Sequence, residues 1–294
     1  MLKRAQDGAQ AWALRGVFHL LRALGPVRAS NLGGALARWL GPLLPVSRVG
    51  RDNLARAFPQ RSAAERARIL RGVWDNLGRT FCEYPFLADL SPTPAGPGFV
   101  VRDAQYVQGG RRIMVSGHLG NWELLPRAGA LLGLQMAVLY RAPGNPAAAA
   151  LLGTLRGRAM LGNPAFAKGA AGARATLAWL REPDHVLGLL VDQKMNDGIA
   201  AQFFGRPAMT APAAAALALR YRCPVVPVRV RRLGPARTEL LCEPPLPLPA
   251  TGERGADIAA LTQAINDRLE AWIRDDPAQW LWLHRRWPKE ETAC

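Results

Sequence analysis

Short apolar runs alternate with helix-patterned stretches between residues 99 and 274. That alternation constrains the chain more than any other feature. Phe99-Val100-Val101, Ile113-Met114-Val115, Met136 to Tyr140, Val186 to Val191, and the stretches 225–231 and 238–242 read as strands. Helices are expected over about 63–87, 121–132, 146–160, 171–181, 211–221 and 256–274. Near-continuous apolar strands separated by helices predict an α/β fold, with a central mixed, mostly parallel sheet flanked by helices. The first of these helices opens on a capping box, Ser62-x-x-Glu65. Its residues Ile69, Val73, Leu77 and Phe81, four apart, read as a buried stripe.

In open α/β sheets, ligands bind just beyond the C-terminal ends of the strands. His118, Arg141 and Asp192 all fall there. The first sits in Ser116-Gly117-His118-Leu119-Gly120-Asn121-Trp122-Glu123, a strand-turn-helix junction in which Asn121 is the expected helix N-cap. Five positions within one helix would leave His118 and Glu123 roughly 140° apart at 100° per residue. A turn containing Gly117 and Gly120 removes that obstacle, so Glu123 is expected to reach the imidazole. A neutral imidazole can take a proton from a hydroxyl near neutral pH, and a carboxylate on its other nitrogen fixes the tautomer. The competing reading is a structural histidine beside a helix-capping glutamate.

Other residues have a functional and a plain reading alike. Arg141 is either a fork for phosphate or a developing oxyanion, or a surface ion pair. Arg156 and Arg158 either extend a phosphate-binding face or are solvated helix charges. Asp192-Gln193 either orients Arg141, a substrate hydroxyl or a loop, or caps a turn. Asn196-Asp197-Gly198 reads as a turn. Phe203-Phe204-Gly205 lines either an apolar groove beside the site or the core. Trp272, Trp280, Trp282 and Trp287 read as core or membrane interface rather than chemistry.

Lys and Arg number 38 against 22 Asp and Glu, a formal net charge of +16, which calls for an anionic partner. No zinc-ligand spacing, RNP motif or helix-turn-helix accompanies that charge, so nucleic acid is not the expected partner. The four cysteines, at 82, 223, 242 and 294, form no C-x-x-C pair, and neither metal nor cofactor is expected. Residues 1–60 carry nine Arg or Lys against two Asp. Arg15, Arg22, Arg28 and Arg38 interrupt the apolar pieces of residues 11–46, so no transmembrane run forms. Helices lying in an anionic membrane surface suit that pattern, with arginines reaching for phosphates. The alternative is an ordinary amphipathic helix packed on the domain. The pattern leaves both readings open; either way residues 1–46 read as an N-terminal helical segment ahead of a domain over 47–294.

Six blocks, in order, resemble the late (lauroyl/myristoyl) acyltransferases of lipid A biosynthesis. They begin with Arg51-Asp52-Asn53-Leu54-Ala55-Arg56-Ala57-Phe58-Pro59, then Asn76-Leu77-Gly78-Arg79 with Glu83, then His118 to Glu123. Tyr140-Arg141 with Asn145-Pro146 follows, then Asp192-Gln193 with Phe203-Phe204-Gly205, then Pro224-Val225-Val226-Pro227. Trp280 to Trp287 has the family's C-terminal form. Glycerolipid acyltransferases are similar but carry Asp where this chain has Glu123.

The resemblance implies a glycerolipid-acyltransferase-like sheet and O-acyl transfer at the cytoplasmic face of the inner membrane, with residues 1–46 as an N-terminal helical membrane-associating segment and 47–294 as the acyltransferase domain. The implied donor is an acyl thioester, usually on acyl carrier protein. The implied acceptor is a phosphorylated glycolipid, a lipid A precursor bearing a 3-hydroxyacyl chain. His118 would act as general base oriented by Glu123. The N–H groups from Gly120 to Trp122 and the Arg141 side chain would stabilise the oxyanion. Two alternatives stay open: an acyltransferase for another glycolipid or a lysophospholipid, and a non-catalytic basic peripheral membrane protein.

Overall fold

The capping box at Ser62 forms as the spacing predicts. Ser62 Oγ accepts the Glu65 N–H at 3.2 Å, and the Glu65 carboxylate accepts the Ser62 N–H at 2.7 Å. The structure is a computed structural model that describes residues 2–140 and 145–288. In chain order it begins with helices α1 (Leu2–Leu24), α2 (Pro26–Leu40), α3 (Ser47–Ala57) and α4 (Ala63–Glu83). Strands β1 (Gly98–Arg102) and β2 (Arg112–Ser116) lead to α5 (Leu124–Leu131), β3 (Gln135–Tyr140) and α6 (Pro146–Ala159). Next come β4 (Ala165–Ala167), α7 (Ala170–Trp179), β5 (His185–Leu190), β6 (Lys194–Phe203) and β7 (Arg206–Thr210). The chain continues through α8 (Ala213–Tyr221), β8 (Val225–Gly234), β9 (Arg237–Cys242) and α9 (Arg254–Asp275).

Seven strands form one sheet in the order β1-β9-β8-β2-β5-β3-β4. Every neighbouring pair is parallel except β8 with β9. The fold is thus α/β with a mostly parallel mixed sheet, as the alternation predicts. Period-2 alternation sends Ile113 and Val115 of β2 to one face and Met114 to the other. On the first face they join Leu54, Val73, Leu261, Ile265 and Trp272. On the second, Met114 joins Leu124, Met136, Val228, Leu87 and Phe18.

Three segments differ from expectation. Residues 165–167 form an edge strand too short to show a period. Lys194 to Thr210 form a two-stranded antiparallel hairpin rather than a loop. The expected turn at Asn196–Gly198 falls where the hairpin register shifts, and the real turn is Phe204-Gly205, with φ of 54° and 68°. Positive φ at both central residues matches strand twist in a two-residue hairpin loop. The α4 stripe is buried at Ile69 and Val73, but Phe81 is half exposed and leans on Phe18 of α1.

Packing crosses the boundary expected at residue 46. Gly33 of α2 lies against Gly78 of α4, and a Cβ on either would collide with the other's carbonyl oxygen. Ser30 Oγ also donates to Glu83 at 2.6 Å. Only hydrogen side chains permit this approach, and neither helix can withdraw without breaking bonds to the rest of the domain. Gly78→Ala should therefore lower the thermal midpoint, by an overpacking cost of about 1–3 kcal/mol. A denaturation series on the full chain checks this, and an unchanged midpoint would show that the two helices can separate freely.

Candidate active site

His118 follows β2, and Asp192 follows β5, the strand paired in parallel with β2. Both therefore leave the sheet at the same edge. The turn between them is tight: a Cβ on Gly117 would meet Asp192 Oδ2 at 3.3 Å. Gly120 has φ +53°, and a Cβ there would meet the Arg232 nitrogen at 3.1 Å. His118 Nδ1 lies 2.8 Å from Asp192 Oδ1, and the His118 backbone N–H donates to Oδ2 at 2.8 Å. Trp280 Nε1–H donates to the same Oδ2 at 2.7 Å. Asp192 is fully buried. Burial pushes its carboxyl up, but the His118 charge and the bonds from that residue outweigh it and hold the group well below the ordinary carboxylate range. The stability this contributes is present at neutral pH and is lost only as pH falls below the usual 3.8 toward the folded value.

The expected contact between His118 and Glu123 is replaced by two separate pairs. Glu123 accepts from Arg156 Nε at 3.1 Å and from Nη2 at 2.9 Å on both oxygens, a fork-to-fork ion pair. The helix accounts for the difference. It starts at Leu124, with Glu123 in the N-cap position, so the turn runs two residues longer than expected and carries Glu123 over to α6. Asn121 is not the cap. It is fully buried, and its Nδ2 donates to Glu83 at 2.7 Å.

An apolar cavity of about 330 Å³ opens beside this edge. His118, Trp122, Glu123, Tyr140, Arg156, Lys168 and Gln193 line its polar end. Met114, Leu125, Met136, Val138, Gly188 and Val228 line the rest. His118 Nε2 has no hydrogen-bond partner among the described residues, which leaves it available to a hydroxyl in the cavity. Arg156 Nη1 is likewise unspent in its pairing with Glu123. Arg156 passes over the Tyr140 ring at 5.5 Å.

The other expected site residues lie elsewhere. The N–H of Gly120 donates to the Gln279 carbonyl, and its own carbonyl accepts from Asn76 and Thr80, so Gly120 shapes the loop and has no amide left for an oxyanion. Arg141 lies outside the described residues. Arg158 is exposed, in line with a solvated helix charge. Phe203 and Phe204 are core: they pack with Trp280, Trp282 and Trp287 away from the cavity. The tryptophans of the C-terminal segment are buried too, so they do not form a membrane interface. Sequence reasoning missed Trp280 as a partner of Asp192. A sequence signal existed in the Trp-x-Trp-x-His spacing, but core packing explains that spacing equally well.

Pairing a strand-end imidazole with a buried carboxylate, beside an apolar cavity, suits transfer of a lipid acyl group to a hydroxyl. This is the acyltransferase class. The model of the bacterial lipid A biosynthesis acyltransferases matches residues 3–289, and the chain belongs to that family. No curated protein matches the sequence. Among solved structures, the 1-acyl-sn-glycerophosphate (LPA) acyltransferase PlsC from Thermotoga maritima is similar at 13% identity and a TM-score of 0.38. The match covers 93% of this chain and 99% of that one.

Asp192, rather than Glu123, holds the imidazole, so Asp192→Asn should leave a folded protein with the wrong tautomer. Acyl transfer should fall by about 10²–10⁴ in kcat, as should that of His118→Ala. Steady-state kinetics of folded variants checks this, and near-wild-type turnover by Asp192→Asn would break the pairing's role.

Proposed function

We propose that the protein transfers a fatty acyl chain from an acyl thioester, carried by acyl carrier protein, to a hydroxyl of a lipid A precursor at the cytoplasmic face of the inner membrane. The observation that carries the reading is the His118–Asp192 pair opening onto an apolar cavity in a chain of this family.

The geometry supports the following reaction. His118 Nε2 takes the proton of the acceptor hydroxyl as its oxygen attacks the thioester carbonyl. Asp192 holds Nδ1–H and stabilises the imidazolium that forms. Arg156, locked in place by Glu123, turns its unspent Nη1 to the carbonyl oxygen as that oxygen becomes an anion. The tetrahedral intermediate collapses, the C–S bond breaks, and His118 returns its proton to the departing thiolate. No covalent acyl-enzyme is needed. The +16 charge serves two acidic partners, the carrier protein and the phosphates of the acceptor. Mass spectrometry of lipid A from a strain lacking the protein, with and without complementation, tests the reading. Loss and restoration of one acyl chain is expected. Transfer to a lysophospholipid instead would overturn the acceptor.

The apolar part of the cavity takes the donor's chain. Gly188, on the central strand β5, leaves room that the Met136 methyl fills from β3. A Cβ at Gly188 would displace that flexible side chain into the cavity rather than break the fold. Gly188→Ala should therefore shift preference toward shorter saturated thioesters, and Met136→Ala toward longer ones. A methylene is worth about 0.8 kcal/mol, or roughly fourfold in kcat/KM per carbon excluded or admitted. Competition among thioesters of graded length measures it, and unchanged preference in both variants would place the donor chain elsewhere.

The N-terminal helices supply the membrane contact. Trp12, Leu20, Leu36, Trp39, Leu40 and Leu43 are exposed, with Trp39 at 78% and Leu43 at 80%, and arginines lie among them. Among the described residues no helix is long and apolar enough to cross a membrane. The reading is therefore interfacial attachment, with an apolar part that salt does not screen and an electrostatic part that it does. Flotation with vesicles containing phosphatidylglycerol should show binding that weakens with salt. The double variant Trp39→Ser, Leu43→Ser should bind about tenfold or more weakly at every salt concentration, given about 1.5–3 kcal/mol for each large side chain fully buried. Equal binding by the double variant would remove this surface from the contact.

A further inference from the structure

The segment from Gln279 to His284 runs alongside the catalytic turn. Leu119 and Trp280 form an antiparallel bridge, Gly120 N–H donates to the Gln279 carbonyl, and Leu281 N–H donates to the His118 carbonyl at 3.0 Å. The segment is itself pinned from α3, where Asn53 Nδ2 donates to the carbonyls of Trp282 at 2.8 Å and His284 at 2.6 Å. Packing alone would account for two buried tryptophans here. It does not account for where their N–H groups go. Trp282 Nε1–H donates to the Pro277 carbonyl within its own segment, at 2.7 Å. Trp280 Nε1–H instead reaches a carboxylate 88 residues away.

We infer that Trp280 is a positioning residue of the acyl-transfer site: its indole N–H fixes one oxygen of Asp192 so that the other meets His118 Nδ1. The two oxygens have distinct roles. Oδ1 receives the imidazole, and Oδ2 receives both the His118 backbone N–H and the indole. Two donors on Oδ2 prevent the carboxylate from rotating about its Cβ–Cγ bond, and charge-assisted bonds in a fully buried site are strong. The indole also acts electrostatically. Its N–H dipole points its positive end at the carboxylate and lessens the negative potential felt by the imidazole. Removing it strengthens the pull of Asp192 on a proton at His118.

The other charged or titratable groups around this pair are few. The His284 ring lies 6.4 Å from His118, and its Nε2 is 3.3 Å from the Asp192 carbonyl oxygen. Burial lowers the pKa of His284 and favours its neutral form. Arg286 is buried in the same segment and bonds to Thr210 and the Met209 carbonyl. Glu123 and Arg156 line the same cavity as His118 as an ion pair, and Tyr140 and Lys168 line it too. None of them touches Oδ2.

The test compares Trp280→Phe with Trp282→Phe in the full-length protein, assayed for acyl transfer across pH. Each variant keeps an aromatic ring in the same cluster and loses one buried N–H bond. Trp280→Phe should lower kcat about tenfold, consistent with a bond to a charged group. Its KM for thioester should stay unchanged, and the acid limb of its kcat/KM profile should move to higher pH. Trp282→Phe should lose thermal stability and keep the wild-type acid limb. If Trp280→Phe does not fold, benzothienylalanine at position 280 keeps the bicyclic shape and replaces only the N–H by sulfur. Matching profiles for the two sites, or an unshifted acid limb at 280 with wild-type kcat, would overturn the inference. It rests on the acyl-transfer reading, and the wild type separates the two. Absence of transfer by wild type sinks that reading, whereas an active wild type with unshifted variants sinks only the role of Trp280.

Discussion

The turn that carries His118 is held by a carboxylate that does not line the cavity. Glu83, at the end of α4, is fully buried and sits among four donors. Ser30 of α2, Asn121 of the turn, the Ala236 N–H between β8 and β9, and the Arg232 guanidinium of β8 all bond to it. Arg232 also bonds to Asn76 and Thr80, which both donate to the Gly120 carbonyl. Five parts of the molecule therefore meet at one ion pair. A buried pair is weak evidence for stability, because desolvation offsets its Coulombic gain. Its value here is geometric. The donors around Glu83 admit one arrangement of the turn, and removing either charge would leave the other buried and unpaired, at about 3–5 kcal/mol.

That network also explains why the upstream motif residues accompany the histidine motif. Asn76, Thr80 and Glu83 are spaced by four and three along α4, so they share one helix face, which is turned to the loop. Asn53 does the same for the C-terminal segment. None of these residues lines the cavity. They belong to the site as its scaffold, and the resemblance blocks mark loop geometry as much as chemistry.

The sheet was legible because its strands are short, near-continuous apolar runs and the stretches between them carry helix patterning. The shared edge of His118 and Asp192 followed from strand ends alone. The ion pairs were not legible. Spacing places residues within one element, while Asp192 meets His118 through the pairing of β2 with β5, across 74 positions. The hairpin was missed because Asn196-Asp197-Gly198 is a stronger turn signal than Phe204-Gly205. A bulge used the first and a left-handed phenylalanine formed the second. Phe204 tolerates that conformation because its ring is packed against Phe58, Trp282 and Trp287, a tertiary constraint that no local window records.

Charge balance decides why the motif glutamate goes to Arg156. Among the described residues the site holds two carboxylates, the Arg156 guanidinium, the Lys168 ammonium and the His118 imidazole. Only one carboxylate can accept from Nδ1, and in the proposed reaction Nε2 is kept for the hydroxyl proton. Had Glu123 taken Nδ1, Asp192 would be a fully buried anion facing two neutral donors, and Arg156 would stand unpaired against an apolar cavity. Both are costly. The observed pairing avoids both costs. In the proposed reaction Asp192 meets the group that becomes cationic, so their attraction would grow as the transition state is approached. Glu123 meets the group that is always cationic, so that pair is constant and serves to aim the arginine. The variable charge is matched to the buried carboxylate and the fixed charge to the half-buried one, which leaves the cavity close to neutral before an acyl chain enters it.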